Sequence, residues 1–347
     1  MQQPDNGQHA PNDPERTASS INEELIRFCR DIDELKRALA EVIVGQSGVI
    51  DAVLTGMIAA GHLLIEGVPG VGKTMLVRQL ARALGLQSSR IQFTPDLMPA
   101  DILGTTVIAE ATDHGTRRLE FQPGPIFANL VLADEINRAT PKTQSALLEA
   151  MQERSVTIGG KTYPIEEPFF VLATENPVEM EGTYPLPEAQ LDRFLMKIDV
   201  PFPNALELAE ILTRTTGGTE TEVRFVIDGS RLLEMIRFAR QCPVADHVRD
   251  YVVRIVRATH PGLESTVPRV KRYVRLGASP RGAQALLNCA KIRAVASGRL
   301  IPSLDDVRAM AKPTLRHRLL LSFEGQADRI STEELLDEIV EKLPETA

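Results

Sequence analysis

Residues 67–74 read Gly-Val-Pro-Gly-Val-Gly-Lys-Thr: a glycine, four residues, then Gly-Lys-Thr. Residue types in that order suit the binding of a phosphorylated ligand. Gly67, Gly70 and Gly72 let the backbone curl so that several N–H groups face one anion, and a following helix adds the positive end of its dipole. Val68, Pro69 and Val71 complete the loop. Lys73 would reach the outer phosphates of a nucleoside triphosphate, and the Thr74 hydroxyl would bind Mg²⁺. The alternative is a glycine turn ending a strand, with Lys73 in water. Context favours the cradle, because the apolar run 62–66 precedes it and an amphipathic stretch, 73–84, follows.

A second constellation is "LVLADE" (130–135), an apolar strand ending in two carboxylates. Side chains alternate along a strand, so Asp134 and Glu135 can do different jobs. Asp134 would hold Mg²⁺ through its waters. Glu135 would take a proton from, or orient, a water attacking the γ-phosphate. Standing alone, two acids at a strand end are commonly just solvated; following a phosphate loop, they point to nucleotide hydrolysis.

"VLATENP" (171–177) is another apolar strand with a polar end. Ligands of parallel sheets sit at the carboxyl ends of the strands. Asn176 would then hold the attacking water beside Glu135, or it belongs to an Asn-Pro turn with a local role; the residues leave both open. Two arginines remain. Arg193, in "LPEAQLDRF" (186–194), either pairs with Asp192 or reaches a phosphate. An exposed pair contributes only about 0–1 kcal/mol, and adjacent residues pair poorly. Arg281 lies in "SPRG" (279–282), where Ser279 caps a helix and Pro280 takes its first position. A cation there opposes the helix dipole at a cost of about 0.3–1 kcal/mol, which a nearby anion would remove. The alternative is a solvated first-turn arginine.

Several elements must position these groups. Residues 62–66, 90–93, 129–135, 168–176 and 194–200 read as strands, several apolar on both faces as buried parallel strands are. Helices at 73–84 and 141–152 fall between them, the latter with Thr140 as a cap and Pro141 at its start. The βα alternation implies an α/β parallel sheet covered by helices. Residues 105–121 read as a hairpin turning near Asp113–Thr116, and 155–165 as a sharper one around Gly159-Gly160. Ahead of the sheet, helices are expected at about 21–40, opened by a Ser20–Glu23 capping box, and at 47–60. Residues 1–19 read as a disordered tail, 20–202 as the α/β domain with its N-terminal helices, and 203–347 as a small helical domain, with 222–227 its one strand-like stretch.

Composition narrows the classes. With 43% apolar and 25% charged residues the chain is an ordinary globular one, and with 4% aromatics and no Trp its core is aliphatic. A net charge of −8 argues against wholesale wrapping of nucleic acid. The basic clusters at Arg117-Arg118, Lys161 and 269–275 read as solvated faces. Three widely spaced cysteines, with no metal spacing, fit a reducing, cytoplasmic setting. The polar first residues read as no secretory signal, and no apolar run is long enough for a membrane span.

Taken together, "EVIVGQ", "EGVPGVGKT", "RIQFTPDLMPADILG", "FQPGPIFANLVLADEINRATPKTQSALLEAMQER", "VLATENPVEMEGTYPLPEAQLDRFLMKI" and "GASPRGAQALL" resemble the MoxR family of AAA+ ATPases, over about 41–290. The resemblance implies an AAA+ P-loop domain, its parallel sheet covered by helices on both faces, followed by an all-helical lid. It implies ring assembly, usually a hexamer, with ATP and Mg²⁺ at subunit junctions. By that likeness Lys73 and Thr74 serve nucleotide and Mg²⁺, and Asp134 and Glu135 are the Walker B acids. Asn176 is the first sensor, Arg281 the second, and Arg193 an arginine finger. Val44, Gly45 and Gln46 pack against adenine, and the two hairpins are the inserts of this clade.

The function implied is a chaperone-like ATPase that remodels or matures a partner protein, in some cases during metal or cofactor insertion. A companion bearing a von Willebrand A domain is expected by the same likeness. The alternatives are a nucleic-acid motor and a magnesium-chelatase-like motor subunit.

Overall fold

The structure is a computed structural model that describes residues 14–110, 117–176, 182–216, 222–263 and 267–345. Helices α1 (Pro14–Ala40) and α2 (Ser47–Ile58) come first. Helix α1 starts before Ser20, so the capping box expected there does not open it; the Ser19 hydroxyl instead donates to Glu23 within the helix. The tail expected over 1–19 does not hold for residues 14–19, which belong to α1; residues 1–13 lie outside the described residues.

The nucleotide-type sheet follows. Strand β1 (Leu63–Glu66) leads into α3 (Lys73–Ala83), and β2 (Ser88–Gln92) into the short α4 (Pro99–Leu103). A hairpin, β3 (Gly104–Glu110) and β4 (Arg117–Pro123), interrupts before β5 (Leu130–Asp134) and α5 (Pro141–Glu153). A second hairpin, β6 (Ser155–Ile158) and β7 (Lys161–Pro164), precedes β8 (Phe170–Glu175); α6 (Glu188–Leu191) and β9 (Met196–Asp199) complete the unit. The five parallel strands stand in the order β2-β5-β8-β1-β9. Every residue of β5 is buried, as its unbroken apolar run requires of an inner strand. The two hairpins meet through Phe121 stacked on Tyr163, ring centroids 4.0 Å apart. The first hairpin's expected turn, 113–116, lies outside the described residues. Thr140 sits ahead of α5 with Pro141 first, but its hydroxyl meets the Thr143 hydroxyl rather than a backbone amide.

The second half is helical: α7 (Ala205–Thr216), α8 (Gly229–Gln241), α9 (Asp246–Ala258), α10 (Pro268–Tyr273), α11 (Pro280–Ala296), α12 (Leu304–Leu315), α13 (Phe323–Ala327) and α14 (Thr332–Lys342). Two short strands, β10 (Val274–Leu276) and β11 (Leu320–Leu321), pair as a small antiparallel ribbon. Residues 222–227 form no strand. Their amides go to the Gln79 side chain and the Ala83 carbonyl, so the segment lies along α3 rather than in a ladder. Apolar packing does not break at residue 202. Val223, Ile227, Leu232 and Met235 share a core with α1, α2 and α3, while a separate lid core gathers around Tyr251, Leu286 and Leu336. Helix α11 serves both, sending Cys289, Ile292 and Val295 to the first core and Leu286 and Ala290 to the second.

His62 fastens the start of β1 inside the molecule. Its Nδ1 accepts from the Val171 amide and its Nε2 donates to the Met151 carbonyl, 3.0 Å each, an arrangement that requires the neutral ring. Burial pushes its pKa down to about 4, from an ordinary 6.5. The unfolded chain therefore takes up a proton that the folded chain refuses. Stability should fall as pH drops from 6.5 towards 4, by about 1.4 kcal/mol per pH unit from this residue. Buried His317 is shifted the same way and adds to the slope. Urea unfolding at stepped pH checks this: the slope should be shallower in His62→Asn, and an unchanged slope would contradict it.

Candidate active site

The site lies at the carboxyl ends of β5, β8 and β1, neighbours in the sheet. After β1 the chain turns through Gly67–Gly72 into α3, whose first residue is Lys73. Gly70 and Gly72 hold φ of +84° and +85°, a region where a side chain would be strained. Both glycines are exposed, and a Cβ added at either would meet nothing within 4 Å. Gly67, by contrast, is buried, and an added Cβ would sit 3.1 Å from the Val200 carbonyl oxygen. Val68 is half-buried, Pro69 exposed, and Val71 anchored in the core.

Lys73 is half-buried, and its Nζ donates to the Gly67 carbonyl at 2.7 Å, folding the ammonium over the loop. Burial lowers its pKa while Asp134, Glu135 and Glu66 oppose that shift. Thr74 is exposed at the helix start. The segment Val44-Gly45-Gln46 closes on the loop from outside: Gln46 Nε2 donates to the Val71 carbonyl at 2.7 Å. Gly45 has φ +73°, and an added Cβ would collide with the Glu207 side chain of α7.

Asp134 ends β5 with its carboxylate divided. Oδ2 accepts from Arg90 at 2.6 Å and Oδ1 from the Thr174 hydroxyl at 2.6 Å. Glu135 follows with φ +58°, an uncommon backbone for a non-glycine residue, secured by its amide donating to the same Thr174 hydroxyl at 2.8 Å. One buried hydroxyl of β8 thus sets the directions of both acids. The positive φ also turns Glu135 out of the strand's alternation; its Oε2 accepts from Gln92 and Arg138, each at 3.0 Å. Asn176 lies just beyond β8, next to β5, and is 4% exposed.

Arg193 does not pair with Asp192. Its Nη1 donates to the Leu148 carbonyl of α5 at 2.8 Å, and its buried Nε has no partner among the described residues. Asp192 faces the lid instead. It accepts from the Ser279 hydroxyl at 2.9 Å and from Arg318 Nε at 2.8 Å, with Arg281 Nη1 4.0 Å away. Ser279 caps α11 as expected, accepting from the Arg281 amide at 3.1 Å, and the Arg281 side chain is half-exposed.

Residues 62–196 match the family model described as ATPase family associated with various cellular activities (AAA), and 267–339 match an AAA lid domain. Chaperone MoxR1 of Mycobacterium tuberculosis is 44% identical, over 90% of this chain and 82% of its own. Protein MoxR of Paracoccus denitrificans is 34% identical, over 88% and 91%. The chain belongs to the MoxR family of AAA+ ATPases. YeaC of Bacillus subtilis, an uncharacterized protein, is 43% identical over 86% of this MoxR-family chain and 90% of its own. A crystal structure from Cytophaga hutchinsonii, assigned there as an ATPase, superposes with a TM-score of 0.87 at 38% identity, covering 94% of this chain and 98% of that one. The MoxR-family protein is accordingly an ATP-hydrolysing enzyme with a parallel-sheet AAA domain and a helical lid.

Four contributors to this MoxR-family site carried no motif of their own: Thr174, Arg90, Gln92 and Arg318. The first three lie on strands whose motifs were visible, but their partners are set by strand order, which no local pattern states. The basic segment 269–275 is a paired face. Arg269 meets Glu334 and Glu338, Arg272 meets Glu324, and Arg275 meets Glu188. Lys161 lies over the Tyr163 ring at 5.1 Å, and the side chains of Arg117 and Arg118 lie outside the described residues.

Proposed function

We propose that the protein hydrolyses ATP in a ring, usually hexameric in this family, to remodel or mature a partner protein. The observation that carries the reading is Arg193. Its guanidinium is turned away from the adjacent carboxylate, with a buried donor unsatisfied inside its own chain. Held by the Leu148 carbonyl alone among the described residues, the guanidinium can swing off it and offer its planar fork to a phosphate in the neighbouring subunit's loop.

In this reading the Gly67–Gly72 amides and the start of α3 hold the triphosphate, Lys73 draws its outer charge, and Val44, Gly45 and Gln46 close on the base. Thr74 and Asp134 carry hard oxygen ligands of the kind that suit Mg²⁺. The ion, when bound, neutralises charge on the β- and γ-phosphates. Glu135 takes the proton of the attacking water through Oε1, since Gln92 and Arg138 both donate to Oε2. Asn176 orients the water from the next strand end. Arg281 meets the γ-phosphate of its own subunit and Arg193 that of the next. A protein client, with a von Willebrand A companion, fits better than a polyanion because Arg269, Arg272 and Arg275 are paired with the chain's own acids. No helix among the described residues is long and apolar enough to cross a membrane. Cytoplasmic residence is proposed from the cysteine usage.

Lys73→Ala tests the cradle and the ring together. The variant should lose ATP binding in a titration with a fluorescent ATP analogue, while ATP should shift the native mass of the wild-type protein towards the ring. Tight binding retained by the variant would remove Lys73 from the site. A wild-type protein that stays monomeric in saturating ATP would remove the ring.

A further inference from the structure

Arg318 lies far from the nucleotide motifs, between α12 and β11, and its side chain is 3% exposed. A guanidinium has five N–H donors in a fixed plane. Here they meet five acceptors. Nε donates to Asp192 Oδ1 at 2.8 Å; Nη2 donates to the carbonyls of Asp192 at 3.2 Å and Phe194 at 2.7 Å; Nη1 donates to the carbonyls of Leu195, at 3.1 Å, and Thr314. Three of the four carbonyls belong to residues 192, 194 and 195. The lid's buried cation therefore grips the backbone on both sides of Arg193. The neighbouring lid residues reinforce the grip: His317 Nε2 donates to Phe194 O at 3.1 Å, and Arg316 pairs with Asp199 at the end of β9. Gly282 of α11 leaves room for the stem, since an added Cβ would lie 3.0 Å from Arg318 Cδ.

The same Asp192 carboxylate also accepts from Ser279, the cap of the helix that carries Arg281. One knot thus joins the start of α11, which carries Arg281, to the backbone on both sides of Arg193. We propose that Arg318 is a positioning residue for Arg193, through which each subunit's lid sets how well that arginine is presented to the adjacent subunit's ATP. The inference rests on the trans reading of Arg193. It adds that the lid, together with α5 and the sheet, fixes the backbone from which the guanidinium is presented. Lysine cannot replace Arg318, because a single ammonium has three donors and no planar fork.

The test separates this role from any effect on a subunit's own pocket. Rings are mixed from an Arg193→Ala acceptor, which holds ATP but offers no finger, and a Lys73→Ala donor, which has no working pocket but an intact Arg193. The restored ATPase rate then reports only how well the donor presents Arg193. Adding Arg318→Lys to the donor should lower the restored rate about ten- to a hundredfold, the scale of an ångström's misplacement. Native mass spectrometry confirms equal incorporation of the two donors. Should the Arg318→Lys donor fail to fold, Asp192→Asn in the donor decides. It keeps the four carbonyl partners of Arg318 while removing the charge and one acceptor oxygen, and it should lower the restored rate in the same direction. Restored rates equal to that of the Lys73→Ala donor would overturn the proposal. No restoration by the Lys73→Ala donor, with mixed rings verified, would instead sink the trans reading of Arg193 and this proposal with it.

Discussion

Glu135→Gln protein binds ATP and scarcely turns it over. The substitution keeps the shape of the side chain and its capacity to accept from Gln92 and Arg138. The backbone bond from Glu135 to Thr174 is untouched, so the positive φ persists and Asp134 keeps its own bond to Thr174. What disappears is the basic oxygen that accepts the water's proton. General-base assistance contributes about 10²–10⁴-fold, so kcat should drop by at least about a hundredfold. The affinity for ATP should stay within a few-fold of wild type, because the groups that hold the phosphates are all present. Single-turnover hydrolysis alongside equilibrium binding checks both halves. Normal turnover would take Glu135 out of the chemistry. Weakened binding with equal loss of rate would mean that the side chain organises the loop instead.

Arg193→Ala produces a similar separation by a different route. Its guanidinium touches none of the groups that form the phosphate loop; inside the chain it donates to Leu148 O alone among the described residues. Binding of ATP to a subunit should therefore survive. Hydrolysis should fall steeply, since a guanidinium placed on a transferring phosphoryl group is worth about 10³–10⁵ in rate. The fall should appear in kcat with KM nearly unchanged, as expected for an interaction made in the transition state. Folding stability should change little, because the lost bond is one half-buried donor to a carbonyl, about 1 kcal/mol. A variant that hydrolyses ATP at the wild-type rate would leave the unsatisfied Nε without a function.

Much of the fold is legible in the sequence, and the reasons are local. The inner strands are apolar on both faces, which only a sheet covered by helices accommodates, and Gly159-Gly160 marks its hairpin without help from distant residues. The Ser279–Pro280 start of α11 is equally local and stands where the spacing places it. Failures occur where the deciding partner is remote. The alternating stretch 222–227 could be a strand by pattern, yet its amides are taken by α3. The start of α1 is polar, so no apolar periodicity announces it.

The site divides in the same way. The glycines, Lys73 and the acid pair announce phosphate chemistry by type and order alone. The orientation of the acids depends on Thr174 of a neighbouring strand; Arg193 rests on Leu148 of α5, 45 positions earlier, and Asp192, the adjacent carboxylate, bonds to Arg318 across 126 positions. Adjacency in sequence misdirects here. Asp192 and Arg193 are neighbours that serve opposite directions, one tied to the lid and the other to α5.

The shared pocket is tested most directly by the structure of the Glu135→Gln assembly bound to ATP. The account predicts the Arg193 guanidinium within hydrogen-bonding distance of the γ-phosphate held in the adjacent subunit's Gly67–Thr74 loop, released from Leu148 O. An ATP-filled assembly in which Arg193 still rests on Leu148 O, with every γ-phosphate out of its reach, would contradict it.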